Sequence, residues 1–148
     1  IWDKDGQMRA FNAHQGLITL LAWQPLSTSE KNDNYSERLL ASAGEDGAIS
    51  IWNALSIHIK CKASMTMRSG VSAMAFSPDG TFLAGATSES IFIWKSDSPH
   101  MPRATWNRQY EAGWQTPLSS ESGPIEDDIC SLCWDCEGKR LAYGINNR

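Results

Sequence analysis

The chain repeats itself, and this constrains its fold more than any other feature, because a repeated unit that cannot bury its apolar faces alone must stack against copies of itself. One unit reads Leu21-Ala22-Trp23-Gln24-Pro25, then Leu39-Leu40-Ala41-Ser42-Ala43-Gly44-Glu45-Asp46-Gly47, then Ile49-Ser50-Ile51-Trp52. The next reads Met74-Ala75-Phe76-Ser77-Pro78-Asp79-Gly80, then Phe82-Leu83-Ala84-Gly85-Ala86-Thr87, then Ile91-Phe92-Ile93-Trp94. A third opens Leu132-Cys133-Trp134-Asp135-Cys136-Glu137-Gly138 and continues Arg140-Leu141-Ala142-Tyr143-Gly144. Trp52 and Trp94 are 42 residues apart, whereas Trp2 and Trp52 are 50 apart, and the excess falls in a polar stretch over residues 27 to 37.

Each unit divides into short strands joined by turn chemistry. Leu17 to Trp23 and Val71 to Phe76 are mostly apolar runs, the pattern of strands covered on both faces. Glu45-Asp46-Gly47 is a hairpin signal, and Ser77-Pro78-Asp79-Gly80 is a turn in which proline fixes φ and glycine supplies a positive φ. Ile59 to Met67 alternates, with Cys61, Ala63, Met65 and Met67 on one side and Lys60, Lys62, Ser64 and Thr66 on the other, the pattern of an outer edge strand. Ile1 to Asp3 and Met8 to Phe11 read as the last two strands of an earlier unit, joined by a turn at Lys4-Asp5-Gly6-Gln7. No helix is needed anywhere. Trp23, Trp52, Phe76, Trp94 and Trp134 are expected in the core, and Trp106 and Tyr110 in packing positions on an outer strand.

Composition narrows the function. Hydrophobic residues are 41% and charged residues 20% of the 148, an ordinary globular balance. No run approaches the roughly 20 apolar residues that span a membrane as a helix. The net charge of −4 and scattered lysines and arginines disfavour direct nucleic-acid binding. Cys130, Cys133 and Cys136 follow Cys-x2-Cys-x2-Cys, but Arg140 stands near where a further cysteine would complete a cluster, and no histidine lies at zinc spacing. They and Cys61 read as reduced, partly buried strand cysteines, and no metal or other cofactor is expected. A chain beginning Ile1-Trp2-Asp3 is expected to come from something longer.

These residues resemble the WD40 family, which implies an all-β fold: a fragment of a β-propeller, with two complete four-stranded blades and a partial blade at each end. Residues 1–13 would end a preceding blade, 14–67 form a complete blade with the insertion at 27–37, and 68–110 form a second. Residues 111–128 would be a long acidic loop between blades, and 129–148 the first two strands of a truncated last blade. His14, Ser42, Asp46 and Trp52 match the family's structural tetrad, in which the turn aspartate holds the histidine, the histidine the serine, and the serine the indole. A hydrolase reading of Ser42, His14 and Asp46 fails for want of a nucleophile elbow and an oxyanion donor set, so no enzyme is expected. The second blade departs from the pattern: Gly85 and Glu89 replace serine and aspartate, and Ser69-Gly70 stands where histidine would be, so this blade is expected to be less rigidly tied.

A closer resemblance is to the C-terminal blades of the transducin-β-like family of nuclear corepressor subunits, including fungal relatives. It rests on Phe11-Asn12-Ala13-His14-Gln15-Gly16, on the place of the polar insertion, and on a last blade opening Ile129-Cys130-Ser131-Leu132-Cys133-Trp134 and closing on a weak turn at Asn146-Asn147. The long 111–128 connection departs from those relatives. The resemblance implies a non-catalytic scaffold in a nuclear histone deacetylase complex, with corepressor subunits and basic histone tails as partners. The alternative is a substrate receptor or assembly platform in a cytoplasmic ubiquitin-ligase or trafficking complex. Propellers recognise partners through rim loops, which can vary while the blades pack. Gln15 and Arg68 are candidate contacts on that ground, together with Trp114, Glu121, Glu126, Asp127 and Asp128 of the long loop, whose acidity would attract basic partners.

Overall fold

Leu39–Gly44 carries small or apolar side chains on both faces, with Ser42 its one polar side chain, and in the computed structural model all six of these residues are buried. The structure describes residues 1–2, 4–26, 38–55, 58–107 and 129–145. Ten strands occur among them: β1 (Ile18–Trp23), β2 (Leu39–Gly44), β3 (Ala48–Asn53), β4 (Lys60–Thr66), β5 (Ala73–Phe76), β6 (Phe82–Ala86), β7 (Ser90–Lys95), β8 (Ala104–Asn107), β9 (Ile129–Trp134) and β10 (Leu141–Ile145). They form two four-stranded antiparallel meanders, β1-β2-β3-β4 and β5-β6-β7-β8, and a two-stranded sheet of β9 and β10. No helix occurs among the described residues. This is an all-β fragment of a propeller: two whole blades and part of another, with the N-terminal segment against the first.

The first strands of successive blades lie side by side. Thr19 donates its hydroxyl to the Val71 carbonyl at 3.2 Å, and the Trp134 indole donates to the Ala75 carbonyl at 3.1 Å. The core is therefore a series of layers between blades. Leu39, Ala41, Ala43, Ile49 and Ile51 of one blade meet Val71, Phe76, Leu83 and Trp94 of the next. Ala73, Ala86 and Ile91 meet Ile129 in the following layer. On the opposite side Leu40, Trp52 and Ala54 pack against Ile1, Phe11 and Ala13, with the Phe11 and Trp52 rings 4.8 Å apart.

The turns follow the sequence reading, with positive φ at Gly6, Gly47, Gly80 and Gly138. At Gly80 the constraint is also steric, because a Cβ there would stand 2.7 Å from the Pro25 carbonyl of the preceding blade. Gln24 uses that close approach to donate to the Gly80 carbonyl at 2.9 Å.

Four expectations need correction. The segments around Trp2 and Met8 form a single antiparallel bridge rather than a strand pair. β1 is covered on one face only: Leu17, Ile18, Leu21 and Trp23 are exposed, Leu21 at 64% and Trp23 at 45%. Trp134, at the same place in its strand, rests on the preceding blade with its ring 6.3 Å from Phe82 and is half-buried, whereas Trp23 meets no such blade among the described residues and carries Arg38 over its ring at 5.6 Å. The cysteines are free and exposed rather than partly buried: Cys61 lies on the outermost strand of its blade, and Cys130 and Cys133 lie on β9, beyond which no further sheet stands among the described residues. Trp106 is 40% exposed while its ring lies 5.0 Å from Tyr143 of the next sheet, and Tyr110 lies outside the described residues.

Candidate functional site

The best-defined polar constellation lies where the segment entering β1 meets the hairpin between β2 and β3. β2 presents Ser42 and β3 presents Trp52 toward the same face, and the Trp52 indole donates to Ser42 Oγ at 2.8 Å. His14 arrives from the preceding loop with its side chain wholly buried, its Nε2 2.7 Å from Ser42 Oγ and its Nδ1 3.1 Å from Asp46 Oδ1. The indole can only donate, so Ser42 Oγ accepts from it; with the imidazole neutral and its proton on Nδ1, the Ser42 hydroxyl donates to His14 Nε2 and Nδ1–H donates to the carboxylate. The result is a one-way chain from indole to hydroxyl to imidazole to carboxylate, each bond polarising the next.

Asp46 also ties down the turn. Ala48 N–H and Gln15 N–H donate to its carboxylate, each at 3.1 Å. The Ala48 bond is the largest influence on the Asp46 pKa; with the Gln15 and His14 bonds it outweighs desolvation and holds the carboxyl below its usual 3.8. Gly44 is a member of the site that the sequence reading passed over. A Cβ there would lie 2.9 Å from Asp46 Oδ1, 2.9 Å from the Leu17 carbonyl and 3.1 Å from His14 Nδ1, so only glycine lets the three converge. The available signal was glycine at a strand end where Val or Ala would otherwise serve.

The geometry imitates a hydrolase triad but cannot act as one. Ser42 is 1% exposed and its oxygen already accepts from the indole, so no electrophile can reach it. Among the described residues no group of three or more His, Cys, Asp or Glu side chains could hold a metal ion.

The second blade solves the same problem differently. Pairing of Leu83 with Trp94 and of Gly85 with Phe92 puts Gly85 where Ser42 stands, and Thr87 where Gly44 stands. A Cβ on Gly85 would lie 2.5 Å from Ile49 Cδ1 and 3.1 Å from Trp94 Cζ3. The Trp94 ring thus turns its benzo edge to β6, and Ile49 of the neighbouring blade fills the place of the hydroxyl. The hairpin is one residue shorter and is tied locally, with Thr87 N–H donating to the Ser90 carbonyl at 2.9 Å and Ser90 N–H to Thr87 Oγ1 at 3.2 Å.

The loops expected at the rim gather at one end of the blades. The Cβ position of Gly16 is 3.5 Å from Asp46 N, that of Gly70 3.7 Å from Glu45 Cα, and that of Gly47 3.0 Å from the Ser69 carbonyl. Gln15 and Arg68 are both exposed there. Trp114, Glu121, Glu126, Asp127 and Asp128, the 27–37 insertion and Asn146-Asn147 lie outside the described residues.

Comparison with known proteins places this geometry in context. The family model described as WD domain, G-beta repeat matches residues 5–53 and 59–95, more than half of the chain. A curated relative, Protein HIR1 of Yarrowia lipolytica, is 28% identical over 121 residues, covering 64% of this chain and 11% of that protein. A chain in the crystal structure of a mitotic checkpoint complex superposes with a TM-score of 0.67 at 20% identity, over 97% of this chain and 36% of that one. The chain thus spans a small part of the proteins it matches.

Proposed function

Since the chain belongs to the WD domain, G-beta repeat family, we propose that it contributes blades to a non-catalytic scaffold, a nuclear subunit of a histone deacetylase-associated transcriptional corepressor complex. The observation that carries the scaffold reading is the closed relay of His14, Ser42, Asp46 and Trp52, whose polar groups are spent on one another and on the turn amides of Gln15 and Ala48. Nothing in that relay is left over for a substrate, while the loops it anchors remain exposed. Gln15 and Arg68 contact the partner from that rim, joined by Trp114 and the acidic side chains Glu121, Glu126, Asp127 and Asp128 of the 111–128 segment. The corepressor assignment is supported by the sequence around Phe11 to Gly16, the place of the insertion and the opening of the last blade.

Affinity purification of the full-length protein from nuclear extract at low salt tests the assignment. Histone deacetylase activity should be retained, and immobilised basic histone-tail peptides should bind the protein and release it as salt rises. Retention of ubiquitin-ligase or vesicle-coat subunits without deacetylase activity would overturn it.

A further inference from the structure

We draw no further inference here: the strongest candidate, the groove of about 810 Å³ between β4 of the first whole blade and β7 and β8 of the second, with Met65 and Phe92 in its wall and Arg68, Glu89 and His100 among its polar lining, carries none because nothing in the structure shows what covers it.

Discussion

At the scale of single residues, the two whole blades show the same position solved by two kinds of chemistry. In the first, Ser42, His14 and Asp46 tie the Trp52 indole by hydrogen bonds, and Gly44 clears the space. In the second, Gly85 admits Ile49 and the edge of Trp94, and the tie becomes apolar packing. Asp46→Ala should cost about 1 to 3 kcal/mol, because it strands a buried imidazole and two turn amides. Glu89→Ala should stay within about 0.5 kcal/mol, as an exposed side chain outside any relay. Melting curves of the two variants in the full-length protein check this, and equal shifts would contradict it. Trp52→Ala should cost about 3 to 5 kcal/mol by emptying a large core site. Restoring a side chain at Gly85 should not help: Gly85→Ala should destabilise by about 1 to 3 kcal/mol through overpacking. Ile49→Val removes the Cδ1 that a Cβ at Gly85 would strike, so the double variant should recover part of that loss. Additive costs in the double-mutant cycle would refute the contact.

The tetrad was expected from the resemblance to the WD40 family and not from the repeat itself, since the second whole blade carries Gly85 and Glu89 at the corresponding places. The role of Ile49 was not, because it depends on how far one blade leans on the next, which no spacing encodes. The same limit applies to Trp23, read as core from its place in the strand. Burial at that place comes from a neighbouring blade, as Trp134 on Phe82 illustrates, and not from the strand itself.

At the scale of elements, the turns were the clearest part of the sequence, since their glycines and aspartates have local causes. Ser77-Pro78-Asp79-Gly80 is held by Asp79, which accepts from the Ser77 hydroxyl at 2.5 Å, the Thr81 hydroxyl at 2.6 Å and the Thr81 amide at 3.1 Å. The Ser77 hydroxyl bond is the largest influence and, with the Thr81 bonds, holds Asp79 below its usual 3.8. A carboxylate whose folded pKa lies below its unfolded one adds stability above the unfolded value, and loses it as pH falls through the folded value. The melting temperature should therefore decline as pH drops below about 4, the ordinary Asp value. Asp79→Asn and Asp46→Asn should each start lower at neutral pH and decline less in acid. A decline of unchanged steepness in both variants would show that these turns are not the acid-sensitive elements.

At the scale of the molecule, stability resides between blades rather than within them, because each apolar layer is shared by two sheets. Two of those layers are closed here, and the face of β1 bearing Ile18, Leu21 and Trp23 is open. An apolar face of this kind marks an interaction surface. In the whole propeller it belongs against the preceding blade, and in isolation it is expected to promote association. The central claim, that these sheets are blades of a larger ring, is tested most directly by hydroxyl-radical footprinting of Leu21 and Trp23 in the full-length protein and in this chain alone. Both side chains should be strongly protected in the full-length protein and readily oxidised in the isolated chain; equal oxidation in the two would contradict the claim.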